Sequence, residues 1–283
     1  MKPYLIDSHC HLHFKAYDED RDEVLLRMRE KNIWGISVGT NAVTSALGIE
    51  FADKHPDIFA TVGYHPEHLS SSYTDDKEEA DAQPFDIKRI VKLAASSKKV
   101  VAIGETGLDF FRIDEGRDRD EAMKEQERAF REHIHAANKA NLPLVIHCRD
   151  AFVRLAEIVQ QEQNDGFKIR GVVHCFTGTW DDAKPLLDLG LHLSFTGIVT
   201  YPLKKTQAFE SSLQYVAKTM PFDRLLVETD APWLTPVPHR GKKNVPTYVE
   251  FVAKKIGELR GLETEEVAKQ TTQNAIQLFS LPV

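Results

Sequence analysis

Leu142-Pro143-Leu144-Val145-Ile146-His147-Cys148-Arg149 is a short apolar run closed by a histidine, a cysteine and an arginine. Ala129, Phe130, His133, Ile134 and Ala137 precede it at helical spacing, and Val153, Leu155, Ala156 and Val159 follow it in the same way. An all-apolar strand between two amphipathic helices is the repeating unit of a parallel sheet covered on both faces. Working outward, similar runs occur at Tyr4-Leu5-Ile6, Ile33 to Val38, Ile58 to Val62, Val100 to Ile103, Gly171 to Val173, Leu191 to Phe195 and Leu225 to Val227. Helical stripes such as Val24, Leu25 and Met28 lie between most of them. Eight strand–helix units within 283 residues fit a closed barrel. An open doubly wound sheet is the alternative, and no glycine-rich dinucleotide fingerprint follows any strand to support it. The expectation is an α/β chain forming a single (β/α)8 TIM-type barrel over residues 1–283. Its active site is expected at the C-terminal ends of the strands.

Composition narrows the function. The chain is 42% hydrophobic, which sets it apart from disordered segments. No apolar run approaches the ~20 residues that span a bilayer. The N-terminal residues carry no signal-peptide apolar core. With three cysteines, which cannot all pair with one another, this points to a reducing cytoplasm. Net charge is −7, so broad, sequence-independent coating of nucleic acid is not expected. Ser70 to Pro84 and Arg112 to Asp120 are polar and are expected to be loops.

The residues that follow the apolar runs carry the chemistry. Asp7, His9 and His11 follow the first run, Glu105 the fourth, His147 the fifth, His174 the sixth, and Glu228 and Asp230 the last. In a parallel barrel all these strand ends meet on one face. His9 and His11 are two apart and on a strand project to the same side. Four histidines and two carboxylates exceed the protein ligands of one catalytic zinc. Two ions ~3.5–4 Å apart would use them all, with Glu105 as the bridge. His9, His11 and Asp230 are then expected on one ion, and His147 and His174 on the other. Imidazole and carboxylate donors suit zinc, manganese, iron or nickel. Cys10, Cys148 and Cys175 each follow a histidine, so alternation turns them toward the helix layer as small buried residues. The pair of ions would acidify a bridging water, with Asp230 accepting its proton, for hydrolysis of an ester or phosphoryl group. Arg149, Arg240 and Lys242 are candidate phosphate contacts, and Lys204-Lys205 is a further basic pair. His65, just before Pro66, is a candidate substrate contact.

Together these motifs resemble the TatD-type metal-dependent hydrolases, or TatD DNases, of the amidohydrolase superfamily. The similar segments are Asp7-Ser8-His9-Cys10-His11-Leu12, Gly104-Glu105-Thr106-Gly107-Leu108-Asp109, His147-Cys148-Arg149, His174-Cys175-Phe176-Thr177-Gly178 and Glu228-Thr229-Asp230-Ala231-Pro232-Trp233-Leu234. Arg240 to Asn244 and Asn274 to Phe279 fit as well. One segment departs: several members of the family read His-Pro-His where this chain has His65-Pro66-Glu67-His68. The resemblance implies a TIM-type barrel with two divalent ions (Mg, Mn or Zn) on His9, His11, Glu105, His147, His174 and Asp230. It implies a cytoplasmic deoxyribonuclease, a 3′–5′ exonuclease acting on single strands or ends, with nucleic acid as a transient substrate and no membrane. The alternative it leaves open is an ester or amide hydrolase such as a D-aminoacyl-tRNA deacylase.

Overall fold

The computed structural model describes residues 2–70 and 76–282. Its strands are β1 (Leu5–Cys10), β2 (Ile33–Val38), β3 (Ile58–Val62), β4 (Val100–Asp109), β5 (Leu144–Arg149), β6 (Gly171–Val173), β7 (His192–Phe195) and β8 (Leu225–Val227). Its helices are α1 (Arg21–Glu30), α2 (Ala42–Lys54), α3 (Glu67–Ser70), α4 (Ile87–Ala94), α5 (Arg119–Ala140), α6 (Phe152–Asn164), α7 (Trp180–Asp188), α8 (Leu213–Thr219), α9 (Val249–Arg260) and α10 (Thr264–Phe279). The eight strands run in the sheet order β1 to β8, which is the order of the (β/α)8 TIM-type class expected from the sequence.

The expected strand positions hold, and two strands extend past their apolar runs. β1 continues through Asp7 and His9, and β4 continues through Glu105 to Asp109. Every residue of both strands is buried, polar ones included. Apolarity alone marked the starts of these strands and missed their functional ends. Of the loop expected over Ser70 to Pro84, residues 71–75 lie outside the described residues and Ser70 closes α3. Residues 76–86 carry neither helix nor strand, and Glu78 receives hydrogen bonds from Thr40 and His68. The second expected loop stops short of Arg119, which begins α5. There the Asp118 side chain accepts from the Glu121 amide and caps the helix.

By its internal packing the chain divides into two compact units. The first comprises residues 2–12, 17–36 and 174–282 and holds β1, β7, β8, α1 and α7 to α10. Its core includes Leu5, Ile6, Met28, Leu193, Phe195, Leu226, Ile256 and Phe279, all almost fully buried. The second comprises residues 13–16, 37–70 and 76–173 and holds β3 to β6 and α2 to α6. Its core includes Ile58, Val62, Ile103, Leu108, Phe130, Ile134, Val145 and Ile158. In this unit β3, β4 and β5 pair in parallel, and the register shifts once in each pairing. Such irregularities re-aim side chains at strand ends.

Candidate metal centre

In the first unit β1 sends His9 and His11 to the same side, as period-two geometry requires. Their Nε2 atoms lie 3.1 Å apart. Asp230, three residues past β8, places Oδ1 3.6 Å from His9 Nε2 and 3.4 Å from His11 Nε2. Asp230 takes a left-handed backbone, φ 54°, a conformation that costs energy outside glycine and clusters at functional sites. Its amide donates to the His9 carbonyl at 2.9 Å, which ties this turn to β1. His174, directly after β6, stacks on His9 with ring centroids 3.9 Å apart. Its Nδ1 lies 3.4 Å from Glu228 Oε1. Burial alone would raise the Asp230 pKa, but the bond to His11 and the nearby His9 outweigh it and hold the carboxyl below its usual range.

Asp7 has a different job. Its Oδ1 accepts from the Thr229 amide at 2.9 Å, and its Oδ2 from the Thr229 hydroxyl at 2.5 Å. It is fully buried, and desolvation pushes its pKa well up. Asp7 thus fixes the chain between Glu228 and Asp230 to β1.

In the second unit Glu105 of β4 is the hub. Its Oε1 lies 3.2 Å from His65 Nε2 and 3.2 Å from His147 Nδ1. The other His147 nitrogen, Nε2, lies 3.0 Å from Asp109 Oδ2. Asp109 Oδ1 accepts from the amides of Phe111 and Arg112, at 3.0 and 2.8 Å. Burial would raise the Asp109 pKa, but the His147 hydrogen bond and charge bring it down to about 2. His147 moves the opposite way: burial would lower its pKa, and Asp109 and Glu105 raise it. His65 is pushed down by burial, against the pull of Glu105. Gly107, between Glu105 and Asp109, has φ 140°, and a Cβ there would sit 2.0 Å from the His147 carbonyl oxygen. Only glycine lets β4 approach β5 this closely.

The six ligands expected from the sequence therefore fall into two sets: His9, His11, His174 and Asp230 in the first unit, Glu105 and His147 in the second. His65, expected to touch substrate, stands in the second set. His9, His174 and Glu228 in one unit, and His65, Glu105 and His147 in the other, each offer one ligand atom within 4.8 Å of the rest. Two buried carboxylates went unassigned on the sequence, Glu228 and Asp109. Alternation held the signal for both, because Glu228 is two residues from Asp230 and Asp109 four from Glu105. Of the expected phosphate contacts, the Arg149 guanidinium stacks 3.8 Å above the Phe111 ring. Arg240 stacks 4.2 Å above the Tyr201 ring, and Lys242 is exposed. Cys10 and Cys148 are buried as expected, whereas Cys175 is only half-buried. The left-handed backbone of Cys175, φ 45°, breaks the strand alternation that would have hidden it.

The model of the family described as TatD related DNase matches residues 6–280. The chain belongs to the TatD family. It is 37% identical over 279 residues to the metal-dependent hydrolase YabD of Bacillus subtilis, covering 98% of this chain and 99% of that protein. It is 32% identical to a Pantoea ananatis protein named 3′-5′ ssDNA/RNA exonuclease TatD, covering 98% of this chain and all of the relative. In fold it matches the crystal structure of YjjV, a TatD homologue of Escherichia coli, with TM-score 0.82 and 27% identity over the full length of both chains. The chain is thus a TatD-family metal-dependent hydrolase.

The residues present fit that chemistry. Buried and half-buried imidazoles and carboxylates facing one another at 3.0–3.6 Å are the donor set of a divalent transition-metal site. Fully buried Glu228 has a carboxylate oxygen, Oε2, that no hydrogen-bond donor among the described residues reaches. A buried carboxylate left this way calls for a cation or a proton.

Proposed function

We propose that this TatD-family hydrolase cleaves phosphodiester bonds of DNA, removing nucleotides from the 3′ end of single strands. Two divalent ions would be held by His9, His11, Glu105, His147, His174 and Asp230. Such ions acidify a water and screen the charge of the phosphodiester oxygens. Glu105, which lies in the sequence between the two groups of ligands, would be their shared ligand. Asp230, kept ionised beside His9 and His11, takes the proton of the attacking water. Asp109 locks the ring orientation of His147, and Asp7 that of the Thr229–Asp230 turn.

The observation that carries the nucleic-acid reading is Arg149 lying on Phe111. The Phe111 ring is 57% exposed although it is a large apolar side chain. An exposed ring carrying an arginine offers a stacking face to a base and a cation to its phosphate. Arg240 on Tyr201 repeats the arrangement in the other unit. The name of the Pantoea relative supports the same substrate class. Among the described residues no helix is long and apolar enough to cross a membrane. Three free cysteines suit a cytoplasmic site of action.

The test is hydrolysis of single-stranded oligonucleotides labelled at the 5′ or the 3′ end, with magnesium or manganese. Wild type is expected to shorten the 5′-labelled strand into a ladder. Glu105→Ala is expected to give none, to lose both ions by elemental analysis, and to keep its circular dichroism. No cleavage by metal-loaded wild type would move the substrate to an ester or amide such as a D-aminoacyl-tRNA. Unchanged metal content in Glu105→Ala would remove the bridging role.

A further inference from the structure

Glu228 and Asp7 are both fully buried carboxylates of the first unit, and they differ in one respect. Asp7 spends both oxygens on donors: the amides of His9 and Thr229 reach Oδ1, and the Thr229 hydroxyl reaches Oδ2. Glu228 spends only one. Its Oε1 accepts from the Cys175 amide at 2.6 Å and lies 3.4 Å from His174 Nδ1. No donor among the described residues reaches its Oε2. His9 stacks on His174, and one ligand atom from each of His9, His174 and Glu228 lies within 4.8 Å of the others.

A buried carboxylate oxygen that no donor among the described residues reaches is placed to face a cation. We propose that Glu228 is a member of the metal centre. Its Oε1 is anchored to the Cys175 amide, and its Oε2 is the oxygen left for a cation that it would share with His9 and His174. The inference rests on the metal-dependent reading above and adds a third carboxylate to Glu105 and Asp230.

Glu228→Gln tests this, because glutamine keeps the shape of the side chain and an oxygen for the Cys175 amide but is a poor ligand for a divalent cation. Metal-stripped wild type, Glu228→Gln and Glu228→Asp would each be titrated calorimetrically with Mn²⁺ and with Zn²⁺, and melted with and without metal. Glu228→Gln is expected to weaken binding at least about tenfold, as loss of a carboxylate from a metal site does. Its metal-free melting temperature is expected to equal or exceed that of wild type, because glutamine fills the same space and keeps an oxygen for the Cys175 amide. Glu228→Asp, which keeps the charge on a shorter arm, is expected to recover part of the affinity. Wild-type affinity in Glu228→Gln would leave Glu228 a structural residue and overturn the proposal. So would a lower metal-free melting temperature, or an aspartate variant no better than glutamine. Wild type that binds neither ion would overturn the metal-dependent reading as well, which sets that failure apart.

Discussion

Arg149 and Phe111 form a unit that neither residue would make alone. Arg149 closes β5, Phe111 follows β4, and the guanidinium lies over the ring, 3.8 Å from its centroid. Stacking of a base on an aromatic ring is worth about 1–3 kcal/mol. Phe111→Ala is therefore expected to raise KM for a single-stranded oligonucleotide about tenfold. On bis(p-nitrophenyl) phosphate, which spans no second nucleotide, it should leave KM unchanged. Arg149→Ala is expected to raise KM on both, with metal content as in wild type. Steady-state kinetics on the two substrates check this, and equal KM values for wild type and both variants would remove the stacking face. Much of this scale was legible in advance. His9, His11, Glu105, His147, His174 and Asp230 each stand at or just past a strand end that the sequence marks. What stayed hidden was pairing across the chain: that Asp109 meets His147, that Glu228 meets His174, and that His65 meets Glu105. A strand end shows which side chains are available, whereas register decides which of them meet.

Among the elements, α5 shows how a core helix carries its own titration. His133 was one of the residues that gave the helical stripe, and in α5 it is wholly buried. Its Nδ1 donates to the Ala129 carbonyl at 2.7 Å, and its ring stacks on Phe85. No partner among the described residues reaches its Nε2. Burial lowers its pKa to about 4, from an ordinary value near 6.5. Between those values the unfolded chain holds the proton and the folded one does not. This contribution is fully present above pH 6.5 and is lost as pH falls toward 4, by about 3 kcal/mol in all. Urea unfolding in EDTA at pH 7 and pH 4.5 should show wild type losing more stability than His133→Leu. Equal losses would mean that His133 does not stay neutral in the fold. The strands make a complementary point. β1 and β4 run on past their apolar starts because their polar residues are buried among partners, and composition alone cannot report that.

For the molecule as a whole, charge constrains how substrate is met. With 43 acidic residues against 36 basic ones, a long strand cannot be gripped along much of its length. The encounter is expected to involve about two phosphates, so the log–log dependence of oligonucleotide affinity on salt should have a slope of roughly −1 to −2. Fluorescence anisotropy across a salt series measures it, with calcium replacing the active metal to prevent turnover. A slope steeper than about −4 would reveal a basic track that the net charge conceals. The sequence by itself determined the eight-strand order, the αβ alternation and the six candidate ligands. Each of these rests on local chemistry: apolar runs make strands, helical spacing makes helices, and polar residues at strand ends face the same way every second position. Only the tertiary structure decided which buried carboxylates are saturated and which keep an oxygen for a cation. Asp7 and Glu228 cannot be told apart by residue type or by burial, because the difference lies in which donors other segments bring within hydrogen-bonding distance.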